Sequence, residues 1–302
     1  MAGAKARRRR CSRVYIKEPQ RRQRPKEPEL RVLTNRSGHE NLKGDKTDME
    51  PILIITAVPQ EMALLEHALV NAVRQATTAF QYAEGTIGTL HVTLCAGGAG
   101  KINAAAAAAT LIERQRPRLV INTGCAGAYP GSGLSVGDLA VASSEILGDE
   151  GVQTADGWQD LRFMKLASFV RGKRIYYNEL PLSKHAAEKA MQLADYCGVF
   201  LMRGNFVTVS TCSGTRQRGE TLARHFNAIA ESMEGAAVAQ VCVRSGVDCL
   251  EIRGISNLVT DRDMSAWDIP RAAESAQRFV LKYLEDLDRP EPGAFVPVTP
   301  EL

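Results

Sequence analysis

Ile52-Leu53-Ile54-Ile55-Thr56-Ala57-Val58 runs without the polar alternation of a half-exposed strand, and Pro59 follows at once. A strand of that composition is buried on both faces, which is the situation of a parallel strand covered by helices. Proline is suited to a first helical turn, so Pro59-Gln60-Glu61 predicts a helix carried on by Met62, Leu64, Leu65 and Leu69. The same succession returns. Gly88 to Ala96 reads as a strand, Gly97-Gly98-Ala99-Gly100-Lys101 as a tight turn, and Ile102 to Arg114 as a helix. Arg118 to Thr123 is a second buried strand, running into Gly124-Cys125-Ala126-Gly127-Ala128. Val136 to Ala142, Asn205 to Ser210 and Cys249 to Ile255 read as further strands. Ser183 caps an amphipathic helix that ends at Cys197, and Asp268-Ile269-Pro270 starts a last helix with Ala272, Ala273, Ala276, Phe279, Val280 and Tyr283 on its apolar face. Strands alternating with helices predict an α/β fold.

With 302 residues and 44% hydrophobic content, the chain is long enough for one core of ordinary size and needs no second domain. The expected organisation is a basic extension at 1–50, a globular unit at 51–287 and a loose Pro-rich tail at 288–302. Residues 1–50 hold 15 Lys/Arg against 7 Asp/Glu and lack hydrophobic periodicity, the composition of a segment that stays disordered. The remainder holds 23 against 27, a mildly acidic balance that gives no nucleic-acid footprint. Seven scattered cysteines, without a Cys-x-x-Cys pair, predict reduced thiols in a cytoplasmic protein rather than a disulfide frame or a zinc site. The basic start lacks the apolar core of a secretory signal, and no run approaches the length of a membrane span.

Several residues are candidates for chemistry. Glu234 sits among Met233, Ala236, Ala237, Gln240 and Val241 on what reads as a packed helix, and a carboxylate in such surroundings calls for a partner. A ribose diol is one, since a carboxylate can accept from two neighbouring hydroxyls. Ser256 and Asn257 lie beyond an apolar strand, where open α/β sheets bind ligands. The small residues Cys125, Ala126 and Gly127 let a flat ligand approach backbone N–H and C=O groups. Glu61, in the first turn after a strand, can simply complement a helix dipole. The Gly97 to Lys101 turn can hold a phosphate or merely allow close packing. Thr211-Cys212-Ser213-Gly214-Thr215 is either a ligand-facing segment or a hydroxyl-rich turn bonded to itself. The aromatic and basic tract from Gln153 to Pro181 reads as a long irregular connection, a lid or an oligomer contact.

Met-Glu-Gly-Ala-Ala-Val-Ala at 233–239, then Arg253-Gly254-Ile255-Ser256-Asn257, resembles the nucleoside phosphorylase/nucleosidase superfamily over roughly Ile52 to Leu287. Ser-Asn followed by Asp261-Arg262-Asp263 and Trp267, with Asp149-Glu150-Gly151-Val152 and the 210–215 segment, is most similar to the futalosine hydrolases within it. The resemblance implies a single-domain three-layer αβα unit, its sheet twisted, mixed and mostly parallel between flanking helices. It also implies hydrolysis of a purine N-glycosidic bond without metal or organic cofactor, and a homodimer or larger homo-oligomer acting on a small nucleoside, with no nucleic acid or membrane partner. By the same match Glu61 and Arg253 hold and activate a water, Glu234 binds the ribose hydroxyls, and Met233 packs on the sugar. Cys125, Ala126, Gly127, Thr211, Ser232 and Ser256 line the substrate. Members that cleave adenine nucleosides usually carry aspartate where this chain has Asn257. An amide always keeps a donor for a 6-oxo group, which favours hypoxanthine. Bacterial-type phosphorylases tend to have a phosphate-binding arginine where this chain has Asn122, so the resemblance favours water as the nucleophile. Cleavage of futalosine, in the alternative menaquinone pathway, is the expectation; aminofutalosine, methylthioadenosine or S-adenosylhomocysteine hydrolysis and 6-oxopurine phosphorolysis are the alternatives.

Overall fold

The structure is a computed structural model describing residues 50–289; the expected disordered extension and nearly all of the expected loose tail lie outside the described residues. β1 (Ile52–Thr56) is buried along its whole length because its side chains alternate between two cores. Ile52 and Ile54 meet Leu65, Ala187, Phe279 and Leu284 on one face. Leu53 and Ile55 meet Ala107, Leu111, Val238 and Cys242 on the other. Each aliphatic side chain so withdrawn from water contributes about 1.5–3 kcal/mol. Helices α1 (Ala63–Ala68), α3 (Lys184–Cys197) and α6 (Ile269–Leu287) supply the first cover. Helices α2 (Lys101–Gln115) and α5 (Gly235–Ser245) supply the second. The expected caps are in place: Ser183 accepts from the Ala186 N–H, and Asp268 from that of Arg271. α4 (Arg216–Phe226) is capped in the same way by Thr215.

On one side of β1 lie β4 (Leu90–Ala96), β3 (Gln81–Ile87) and β2 (Val70–Ala76), the last two joined antiparallel. On the other lies β5 (Leu119–Ala128), parallel to β1. β5 is also bonded to β13 (Ala228–Ser232) and β14 (Asp248–Leu258). β14 pairs onward with β6 (Leu139–Leu147), β6 with β12 (Leu201–Thr208), and β12 with β13, so these five strands close on themselves. The expected α/β architecture, a mixed sheet between helices, is present; the ring at one end of the sheet is an added feature.

The ring explains one misreading. The packed helix expected around Glu234 begins only at Gly235, and the segment just before it is Ala228 to Ser232. It is a strand. Inside the ring small side chains predominate, and Ala230 packs with Ala126, Ala128, Ala140 and Ala142 around Phe206. Ladder bonds to β12 and β5 then override helix propensity. Pro59–Glu61 is likewise one 3-10 turn, with α1 starting only at Ala63. The tract from Gln153 to Pro181 is more regular than expected. β7 (Gly151–Thr154) and β8 (Gly157–Asp160) form one hairpin, β9 (Phe169–Arg171) and β10 (Arg174–Tyr176) a second, and β11 (Glu179–Pro181) edges β6. Trp158 packs edge-on against His225 and Phe226, which pins the first hairpin to α4. No helix among the described residues is long and apolar enough to cross a membrane.

Candidate active site

The carboxyl ends of β1, β5 and β14 and the start of α5 bring the separate motifs together. Glu61 is folded back by its 3-10 turn, so Oε2 accepts from the N–H groups of Ala57 (3.1 Å) and Val58 (3.4 Å). Its Oε1 crosses to β5 and accepts from the Cys125 N–H at 2.8 Å. That approach requires Gly124. A Cβ there would stand 2.6 Å from Glu61 Oε1, and φ of +148° is itself uncomfortable for any other residue.

Glu234 is not inside a helix, as the sequence predicts, but at the residue before α5 begins. β13 delivers it at the end of the ring. Its Oε1 accepts from the Gly100 N–H (2.9 Å), and Oε2 lies 3.6 Å from Arg253 Nη1. Arg253 is fully buried. Its Nε donates to Glu251 Oε1 at 2.8 Å and its Nη1 to the Cys125 carbonyl at 3.3 Å, while Nη2 has no partner among the described residues. Burial disfavours the charged guanidinium, yet Glu251, Glu234 and Glu61 together raise its affinity for the proton above the ordinary value. Three carboxylates from different segments therefore act on one arginine. Buried charges persist only with such partners.

The Cys125 thiol is pushed up to about 12, first by burial and then by the Glu61 charge. It remains a neutral thiol near pH 7 and is not poised as a nucleophile.

Asn257 is buried in β14 opposite Gly127, just past an irregularity in the register. Its Oδ1 accepts from Ser256 Oγ (2.9 Å) and its Nδ2 donates to the Leu258 carbonyl (3.2 Å). Nδ2 keeps a second N–H. Ser256 Oγ also lies 3.3 Å from the Ala126 carbonyl, so Ser256, Asn257, Ala126 and Gly127 form one cluster. Ser232 Oγ lies 3.4 Å from the N–H of Gly235, beside Glu234. Met233 is half-buried and lines a cavity of about 900 Å³ with Gly100, Lys101, Ser210 and Ala237. Thr211 is exposed after β12, its carbonyl facing Arg218, and no contact ties its side chain to the carboxylates.

The glycine turn is already engaged. The N–H groups of Gly97 and Gly98 donate to Thr56 and Ala57, and that of Gly100 to Glu234. Asn122 is buried within β5, registered against Ile55 and Glu251.

Sequence reasoning passed over Glu145, Glu251 and Glu231. The first two are fully buried, and Glu231 accepts from both the N–H (2.8 Å) and the hydroxyl (2.7 Å) of Ser213. A glutamate inside an apolar strand, as in Cys249-Leu250-Glu251-Ile252, was the available signal.

The family model of the phosphorylase superfamily matches residues 51–285. A 5'-methylthioadenosine/S-adenosylhomocysteine nucleosidase of Shewanella sp. (strain MR-7) is 32% identical over 240 residues, 78% of this chain and 96% of the relative. A futalosine hydrolase of Thermus thermophilus is 35% identical over 189 residues, 63% of this chain and 79% of the relative. The solved native structure of futalosine hydrolase from Helicobacter pylori superposes with a TM-score of 0.69 at 21% identity, covering 79% and 98% of the two chains, a likeness of fold. With the family match spanning the elements that assemble the carboxylate and arginine cluster, the chain belongs to the phosphorylase superfamily.

Proposed function

We propose that this enzyme, an N-glycosyl hydrolase, cleaves futalosine with water to hypoxanthine and dehypoxanthinyl futalosine, a step of the alternative menaquinone pathway. The observation that carries the choice of base is Asn257, a neutral amide at the base end of the cluster with one N–H uncommitted. An amide donates to a 6-oxo group at any pH, whereas adenine offers an amine there.

Rupture of the glycosidic bond builds positive charge on the ribose and negative charge on the departing purine. In this reading Glu234 accepts from the ribose hydroxyls and stabilises the oxocarbenium-like sugar. Glu61 and Arg253 position the attacking water and Glu61 takes its proton, Glu61 being held by three N–H donors and Arg253 having Nη2 uncommitted. Met233 packs against the sugar. Ser256, Ala126, Gly127, Cys125, Ser232 and Thr211 line the nucleoside. The prior engagement of the Gly97, Gly98 and Gly100 N–H groups supports water over phosphate, because an entering anion would have to displace Glu234 from Gly100.

The catalytic unit in this proposal is 51–287, acting in the cytoplasm as a homo-oligomer. The broad cavity floored by α2 and α5, where Ile102 is exposed, supports a second copy there.

A second reading is methylthioadenosine or S-adenosylhomocysteine hydrolysis, favoured by the longer match to the Shewanella relative. Incubation of purified protein with futalosine and with methylthioadenosine, resolved by HPLC, separates the two. The proposal expects hypoxanthine release without added phosphate; release only with phosphate, or adenine from methylthioadenosine alone, overturns it. The Asn257→Asp variant should shift the futalosine-to-methylthioadenosine ratio of kcat/KM by about tenfold or more toward the adenine substrate.

A further inference from the structure

Beside the Nε of Arg253, two glutamates face each other with no water-accessible surface. Glu251 on β14 spends Oε1 on the Arg253 Nε–H at 2.8 Å. Glu145 on β6 spends Oε2 on the Thr208 hydroxyl at 2.7 Å, and that hydroxyl oxygen in turn accepts from the Ala236 N–H at 2.7 Å. The remaining oxygens, Glu145 Oε1 and Glu251 Oε2, have no other partner among the described residues and crowd the same point, the space a side chain on Gly235 would occupy. Two carboxylates cannot both carry charge so close together in a dry interior, and one proton between them resolves the conflict. Glu251 already faces the guanidinium, so the proton sits on Glu145.

We propose that Glu145 is a positioning residue for the reaction: a neutral carboxylic acid that keeps its proton, donates the O–H as a hydrogen bond to Glu251 and so fixes the Arg253 guanidinium, with Nη1 toward Glu234 and Nη2 uncommitted. Burial and the neighbouring Glu251 charge raise the proton affinity of Glu145 well above that of an ordinary glutamate, which agrees with this assignment. The other titratable groups facing it are Arg253 and Cys249 on β14 and Tyr129 just after β5. The inference gives Gly235 a purpose as well. Only a residue without a side chain leaves room for the acid and carboxylate to meet directly above the start of α5.

The proposal rests on the nucleosidase reading above for its kinetic arm only. Glu145→Gln keeps a neutral N–H donor toward Glu251, whereas Glu145→Leu removes the donor and leaves Glu251 facing an apolar group. The Gln variant should retain kcat within about threefold of wild type, and the Leu variant should lose about 30-fold or more in kcat with a smaller change in KM, the scale set by a misplaced reacting group. Each is assayed with futalosine and with methylthioadenosine. If only the second is cleaved, the substrate assignment falls and the Glu145 comparison is made on that nucleoside.

The second arm needs no turnover. In the unfolded chain Glu145 ionises near its ordinary value of 4.5, while the folded protein holds the proton to higher pH. Its stabilising contribution is therefore complete below that value and is lost progressively as pH rises toward the raised folded value. Glu145→Gln escapes this loss, so its Tm measured against wild type should improve steadily as pH rises above the ordinary glutamate value. Equal slowing of the Gln and Leu variants overturns the proposal, and so does a Tm difference that is flat with pH. If the Leu variant does not fold, Glu145→Gln decides alone: retained kcat with the rising Tm difference supports the shared proton, and a kcat loss beyond about tenfold overturns it.

Discussion

Two pairs of glutamates flank Arg253, and the chain treats them oppositely. Glu61 and Glu234 face the site and are supplied with backbone N–H donors, from Ala57, Val58 and Cys125 for the one and Gly100 for the other. Glu145 and Glu251 are sealed away, have the hydroxyl of Thr208 and the Nε–H of Arg253 as donors, and face one another. Main-chain donors are fixed by the fold, so they hold each carboxylate of the first pair separately, ready for a ligand. The second pair must settle its charge internally, with a proton. In the proposed mechanism, carboxylates of the same chemistry thus serve as reagents or supports according to what the backbone offers them.

The strongest way to break this contrast is neutralisation of the outward pair. Glu61→Gln and Glu234→Gln should each lower kcat by about 10²-fold or more, as expected when an acid/base or electrostatic group is lost, while both variants keep the fold. Near-normal steady-state turnover by either would remove that residue from the mechanism and erase the distinction from Glu145→Gln. A smaller effect tests the inward pair through its geometry. Gly235→Ala forces a methyl group between Glu145 Oε1 and Glu251 Oε2 and should cost about 1–3 kcal/mol in urea denaturation, the usual penalty of overpacking. An unchanged midpoint would mean that the two carboxyl groups have room to spare. The smallest effect is expected at the rim. There Lys101 bridges Asp149 (2.6 Å) and Glu150 (3.1 Å), and Asp149 also accepts from the Ser210 N–H at 2.6 Å. Partial burial works against the Asp149 charge, but Lys101 and the Ser210 N–H outweigh it and hold the carboxyl below the ordinary range. Asp149→Asn should therefore cost less than about 1 kcal/mol near neutral pH. The cost should be fully present above the ordinary aspartate value of about 3.9 and vanish as pH falls through the lowered folded value. A cost that persists in acid would assign it to packing.

The two pairs also differ in how far the sequence discloses them. Glu61 was legible because a proline marks the turn after an unbroken apolar strand, and Glu234 because Met-Glu-Gly-Ala-Ala forms a local pattern that the resemblance could use. Even there the helix was expected to include Glu234, whereas β13 runs to Ser232 and α5 starts only at Gly235, a boundary set by a closed ring that no local period reveals. The caps of α3 and α6 were readable from Ser183 and Asp268, where the determinant is a single side chain next to its partner. β2 and β3 escaped: β2 is exposed at every position and leaves no apolar stripe to read. Glu145 and Glu251 are 106 positions apart, on strands whose antiparallel pairing only the ring establishes. Thr211 lies exposed in a turn that the Ser213 contacts with Glu231 organise, a long-range tie that the hydroxyl-rich segment itself does not disclose.

Asn257 lies within the longest strand of the described residues, not on a surface loop, and Ser256 and Leu258 fix both ends of its amide. Lengthening or trimming loops in descendants of this gene would leave that group where it is. Asparagine and aspartate codons differ by a single base, so under the proposed role of Asn257 a lineage could alter which purine it tolerates in one mutational step while keeping its architecture. Diversification of this kind should leave its record at one codon rather than in insertions.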